Sequence, residues 1–267
     1  MAILTISREY GSGGREIGQA VARQLGYTYI NKEQILEDIR SAGAKWEQWA
    51  KDLDEHCPSV WEKYDWSFRG FAALIQSCIL NHAQRDKVVI MGRGGNFLLK
   101  DIPFAYRCRV VAPMEARIER IMKREKADKD TARWLAERTD RERACFIHTV
   151  YGKPWDDPAQ YDKVFDTGAQ TDDEIVISVK NALLQRERLG TEEARNALKM
   201  RAVAAGVKAG IATDPKFFVP VLEVFPEGKD IILRGVTHSP KEHKKIEEAA
   251  RKLAEGLPVR CELHYRK

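Results

Sequence analysis

Leu4-Thr5-Ile6-Ser7-Arg8-Glu9-Tyr10-Gly11-Ser12-Gly13-Gly14-Arg15-Glu16-Ile17-Gly18 is the stretch on which the fold turns. The apolar run Ile3-Leu4-Thr5-Ile6 reads as a buried strand. It empties into a glycine-rich turn and then into an amphipathic helix, with Ile17, Ala20, Val21 and Leu25 at helical spacing and Gly26 as the stop. Glycines there let successive backbone N–H groups converge on an anion, and the helix N-terminus adds its partial positive charge. A phosphate cradle is the reading with chemical content. A tight strand-to-helix turn without a ligand is the plain alternative.

The cradle departs from the usual Gly-x4-Gly-Lys-Ser/Thr pattern, whose lysine reaches the phosphates and whose hydroxyl holds magnesium. With Gly11-Ser12-Gly13 aligned to the Gly-x-Gly part, Gly14 takes the lysine position, Arg15 the hydroxyl position and Arg8 that of the first glycine. Arg15 and Arg8 are the candidates to replace the missing cation, and Ser12 is the nearest hydroxyl.

The rest of the chain supplies the setting. Its 267 residues are 43% hydrophobic and 32% charged, which suits a soluble globular protein of more than one domain. A net charge of +5 fits an anionic small ligand, and no basic stripe with interleaved aromatics argues for nucleic acid. Five cysteines without a Cys-x-x-Cys pair point to a reduced, cytoplasmic protein without a cysteine-built zinc site. No signal peptide or membrane-length apolar run is present.

Tyr27–Ile30 reads as a short second strand, and Gln34 to Arg85 as helical, with Trp46, Trp49, Trp61 and Trp66 packing as core. Lys87–Met91 is a near-continuous apolar run of the kind found in covered parallel strands, and it ends in Gly92-Arg93-Gly94-Gly95. Strand Tyr106–Val111 precedes a helix carrying Arg117, Arg120 and Arg124 on one stripe. A charged helix Ala132–Arg143, a loop Tyr151–Pro158, a strand Tyr161–Thr167 and a helix Asp172–Arg188 follow. Alternating strands and helices predict an α/β, doubly wound parallel sheet. After Gly190 comes a helix Glu192–Ala212. Then come a strand Val219–Val224, a Pro226-Glu227-Gly228 turn, a strand Asp230–Val236, a helix Pro240–Glu255 and a strand Val259–Tyr265.

Taken together, residues 1–190 resemble the cytidylate kinase-like family, a branch of the P-loop nucleoside monophosphate kinases. Ile6–Glu16 is similar to that branch's lysine-free phosphate loop, and Ile90-Met91-Gly92-Arg93 to the Gly-Arg step that places an arginine on the acceptor phosphate. Arg117, Arg120 and Arg124 match the helix leading into the lid. Arg138-Thr139-Asp140-Arg141-Glu142-Arg143 is similar to the Arg-Asp-Asp-Arg-Asp-Arg run that carries substrate-recognising side chains, and Tyr161-Asp162 with Asp166-Thr167 to the closing strand. Residues 191–267 resemble a BON domain, a small α+β module linked to phospholipid or partner-protein contact, with dimerisation or plain packing as the alternative.

The resemblance implies ATP-dependent phosphoryl transfer to a nucleoside monophosphate, CMP or dCMP first, with Mg2+ held mainly by the nucleotide and no protein-built metal site. It implies catalytic roles for Arg15, Arg120, Arg124 and Arg141. The phosphates would lie on Arg8, Gly11, Ser12, Gly13, Gly14 and Arg15, and the acceptor on Arg93, Asp140 and Arg143. Cytidylate kinases have Lys-Ser where this chain has Gly14-Arg15, Asp where it has Gly94, and Asp where it has Asn31. A weak or inactive nucleotide sensor signalling through the tail, and a kinase for another small acceptor, are the rival readings. The oligomeric state stays open, with a homo-oligomer among the possibilities.

Overall fold

The computed structural model describes residues 2–41, 43, 46, 57–59, 61 and 65–265. Its first strand, β1 (Ile3–Arg8), is buried along almost its whole length, as expected of a central parallel strand. Around it stand β2 (Thr28–Ile30), β3 (Val88–Met91), β4 (Ala105–Val111) and β5 (Lys163–Asp166), in the spatial order β2-β3-β1-β4-β5 with every pair parallel. The order of strand connection reverses at β1: β3 lies on one side, with Ile6 opposite Met91, and β4 on the other, with Arg8 opposite Val110. Open α/β sheets bind ligands at the carboxyl ends of such strands. The glycine loop, the Gly92-Arg93-Gly94 turn and Ala112 all leave from that edge.

Side chains of the sheet alternate between two cores. Ile3, Val88 and Ile90 face α2 (Lys32–Arg40) and α3 (Trp66–Gln84), which contribute Ile35, Ile39, Phe71 and Ile75. Leu4, Ile6 and Val89 face α1 (Gly14–Leu25) and α7 (Asp172–Glu187), which contribute Ile17, Val21, Ile175 and Val179. Asn31, where the family has aspartate, caps α2 by accepting the Gln34 N–H at 3.1 Å. Short α4 (Gly95–Leu98) follows β3, α5 (Met114–Glu125) follows β4, and α6 (Lys129–Tyr151) comes next. Helix α6 runs eight residues beyond the Arg143 expected from sequence. Phe146 and Ile147 continue its buried face, and Gly152, left-handed at φ 64°, ends it by donating to His148 O.

Much of the expected Gln34–Arg85 helix, Trp49 included, lies outside the described residues. Trp46 packs as core across Gly70 with Trp66 5.9 Å away, whereas Trp61 is exposed. Cysteine chemistry needs a correction: Cys57 and Cys145 form a disulfide, with Cα atoms 5.2 Å apart, and Cys78, Cys108 and Cys261 are free thiols. Eighty-eight residues separate the pair, so no sequence spacing announces it. Among the described residues no helix is long and apolar enough to cross a membrane.

Helix α8 (Glu192–Thr213) serves two cores. Ala194, Leu198 and Ala202 pack with α3, while Met200, Val203, Val207 and Ile211 pack under a three-stranded sheet. That sheet pairs β6 (Leu222–Glu227) antiparallel and β8 (Val259–Tyr265) parallel to β7 (Asp230–Thr237), with α9 (Pro240–Leu253) across it. Strand β6 starts three residues later than expected, and Pro226 lies inside it. A proline is tolerated because β6 is an edge strand. The turn is Gly228-Lys229, with Gly228 at φ 61°.

Candidate active site

Backbone conformation builds the glycine loop. Gly11 and Gly13 sit at φ 80° and 86°, and a Cβ on Gly11 would stand 2.9 Å from the Arg117 carbonyl oxygen. The first-turn amides of Gly14, Arg15 and Glu16 take no acceptor among the described residues, so the N-terminus of α1 presents donors to the cleft above it. Gly11–Gly14, Arg15, Arg124 and Arg143 line this cleft, which encloses about 330 Å³. Ser12 is turned the other way: it is fully buried and its hydroxyl donates to Glu9 O at 2.9 Å. Among the described residues no three acidic, histidine or cysteine side chains gather as a metal site.

Two residues ahead of the loop are held from several directions. Tyr10 N–H donates to Asp140 Oδ1 at 2.8 Å, and Arg117 Nε donates to Tyr10 O at 2.8 Å. The same guanidinium pairs with Asp140 and, at 3.6 Å, with Glu9. Glu9 also accepts from Ala112 N–H at 3.1 Å and faces Arg109 at 3.7 Å, while Arg109 lies 4.0 Å under the Trp155 ring and donates to Trp155 O. On the far side, Arg120 donates to the Thr167 hydroxyl at 2.8 Å, and that hydroxyl donates to Ser12 O at 2.9 Å. The Asp140 carboxylate is therefore occupied in fixing the loop. Asp140→Ala should leave the buried Arg117 without its nearest counter-charge and lower stability by about 3 kcal/mol or more. That is a melting-temperature drop on the order of 10 °C. An unchanged thermal unfolding curve would refute this account of the loop.

A second, smaller pocket opens beside the loop. Arg8 from the end of β1, Arg93 after β3 and Arg143 from α6 converge on it above a floor of Ile75, Phe146, Ile147 and Trp155. Burial, then the neighbouring Arg8 and Arg143 charges, push the Arg93 guanidinium down to about 9. Gly92, Arg93 and Gly94 are all left-handed, at φ 71°, 56° and 76°. Tyr151 holds the turn: its hydroxyl donates to Arg93 O at 2.7 Å, and its ring fills the space where any side chain at position 94 would go. That contact explains why the family's aspartate is absent here.

The remaining expected site residues fall as follows. Arg15 is exposed on the first turn of α1 at the cleft edge. Arg124 lies 4.6 Å and Arg143 5.6 Å from the Tyr10 ring, which they flank, and Arg143 donates to Arg8 O at 3.0 Å. Arg141 is exposed on α6 and lines neither pocket. Sequence reasoning passed over Glu9, Arg109, Tyr151, Trp155 and Thr167 as site residues. Arg109 had a readable signal, since a charge at an inward position of a buried strand requires a partner.

Residues 3–169 match the family model described as the cytidylate kinase-like family. No curated protein matches the chain. Among solved structures, an uncharacterized protein from Eubacterium ventriosum ATCC 27560 is similar at 22% identity and a TM-score of 0.55, over 68% of this chain and 98% of that one. A shikimate kinase from Bacteroides thetaiotaomicron aligns at 14% identity and a TM-score of 0.41, over 68% and 98% of the two chains. A gluconokinase from Sinorhizobium meliloti 1021 aligns at 17% and 0.41, over 70% and 93%. The parallel sheet ordered β2-β3-β1-β4-β5, the glycine loop at its carboxyl edge and a family match over well more than half the sequence lead to one conclusion: the chain belongs to the cytidylate kinase-like family.

Proposed function

We propose that the protein transfers a phosphoryl group from ATP to a small acceptor that is itself a phosphate monoester, a nucleoside monophosphate such as CMP or dCMP. One observation carries the reading: Arg8, Arg93 and Arg143 line one pocket whose described lining holds no carboxylate or histidine, next to a loop whose amides have no described acceptor. A dianionic phosphate oxygen is a nucleophile without help from a base, whereas an alcohol acceptor calls for one. Among the described residues that line the arginine pocket there is no such base.

In this reading the donor phosphates rest on the amides of Gly13 to Glu16, with Arg15 and Arg124 at the cleft edge neutralising charge. Arg93, with Arg8 and Arg143, holds the acceptor phosphate so that one of its oxygens faces the donor's terminal phosphorus. The new P–O bond forms as the bond to the ADP leaving group breaks, and guanidinium groups balance the spread charge. Mg2+ bound with the nucleotide would supply further charge neutralisation, while the Ser12 hydroxyl stays committed to Glu9 O. That commitment favours one second reading, a nucleotide-binding sensor with little turnover. The tail, residues 191–267, stays in the proposal as a BON-like module for phospholipid or partner contact.

ADP release from ATP and Mg2+ with CMP, dCMP, UMP and AMP tests the choice. Turnover with a monophosphate acceptor above the ATP-only rate supports transfer. Nucleotide binding by calorimetry with no acceptor-dependent product supports the sensor.

A further inference from the structure

A separate cleft, away from the glycine loop, encloses about 690 Å³ along the seam between α3, the end of α6, α8 and β6. Ligand-binding clefts span about 300–1,000 Å³, so the space is of the right size for an organic molecule. Its walls are aromatic: Trp66 and Phe68 on the α3 side, Phe217 and Phe218 on the other. Lys208, on α8, projects into this space. Its ammonium makes no ion pair or hydrogen bond with any described residue. Burial holds Lys208 below the usual lysine range, and Glu223, not within ion-pair distance, only partly offsets that.

The charge around Lys208 is lopsided. Arg69 from α3 and His148 from α6 share the lining, and Glu223 from β6 is the one carboxylate among its described residues. Lys208 is half-buried, and a charge drawn out of water without a close counter-charge is costly, so an acidic group on a molecule in the cleft would be favoured there. We infer that this cleft is a binding site for an organic anion, an apolar body of drug-like size carrying one acidic group that pairs with Lys208. The aromatic walls take the body and Lys208 takes the charge. This site is distinct from the proposed phosphoryl-transfer site and does not depend on that reading.

The probes are 8-anilinonaphthalene-1-sulfonate, which has an aromatic body and one anionic group, and N-phenyl-1-naphthylamine, its uncharged counterpart. Fluorescence titration of the full chain should show saturable binding of the sulfonate. Lys208→Met should weaken it tenfold or more while leaving the neutral probe within about twofold. Ala72→Trp, which fills the cleft from its α3 wall, should weaken both probes. Lys208→Gln replaces the methionine variant should that one fail to fold. Sulfonate binding unmoved by Lys208 substitution, or no saturable binding of either probe, overturns the inference.

Discussion

Arg93→Met is expected to lower acceptor-dependent turnover by about 100- to 1000-fold, the usual consequence of removing one charge-stabilising donor from a phosphoryl-transfer site, while leaving the fold at least as stable at neutral pH. The two halves share one cause. Arg93 is almost completely buried beside the Arg8 and Arg143 charges, a cost that Glu33 only partly offsets and that a bound anion would relieve. In the folded state the Arg93 guanidinium is pushed down from the ordinary arginine range to about 9, so folding disfavours the charged form. The penalty is complete below pH 9 and is progressively relieved as the pH rises above 9, where the folded-state guanidinium loses its proton before the unfolded one does. The stability gap between the methionine variant and the parent should therefore narrow above pH 9. Chemical denaturation at pH 7 and pH 10, paired with the ADP-release assay, reads both effects. Full turnover in the variant, or a loss of several kcal/mol at pH 7, would break the link between buried charge and anion binding.

The same residue shows what a sequence discloses. Gly92-Arg93-Gly94 at the end of an apolar run was enough to place an arginine at the carboxyl edge of a strand, because strand polarity and glycine punctuation are local properties. The five parallel strands were legible for the same reason, and so was the α-β-β-α-β order of the tail. Partnerships between distant segments were not. Asp140 reads as a substrate contact in a charged helix, yet its carboxylate lies 130 positions away on the Tyr10 amide. Arg117 reads as one of three equivalent guanidinium groups on a stripe. The crossing of α5 and α6 makes it a loop clamp, with Arg120 on Thr167 and Arg124 over Tyr10. Helical periodicity specifies a face. It does not specify which neighbour that face meets.

Tyr151 illustrates the limit in another way. Its residue type and its place near the end of α6 carry no sign that its ring closes over Gly94, where that packing, together with a left-handed backbone, leaves no room for an aspartate. Departures from a family pattern are thus pairs: the missing side chain at one position and the group that has moved into its space.

Gly14 and Arg8 form such a pair, and they set the second large expectation. Restoring the customary lysine by Gly14→Lys should not restore an ordinary phosphate loop. A Cβ at position 14 would lie 2.7 Å from Arg8 Cβ and 3.2 Å from Val110 Cβ. Both of those atoms sit next to the backbone of paired strands, so they have little room to yield. Overpacking of this kind costs about 1–3 kcal/mol, and the shift of α1 away from β1 would carry the Gly14 to Glu16 amides with it. Turnover and nucleotide affinity should therefore fall at least tenfold in Gly14→Lys. Because Arg8 Cβ is the nearest obstruction, Arg8→Gly should recover part of the lost stability when combined with Gly14→Lys. The double variant would then be more stable than the sum of the two single changes by about 1 kcal/mol. Denaturation of the four proteins in that cycle measures the coupling directly. Strict additivity, or a gain of activity from Gly14→Lys alone, would mean that position 14 is open and that the loop lacks its lysine for a reason other than the arginine standing in its place.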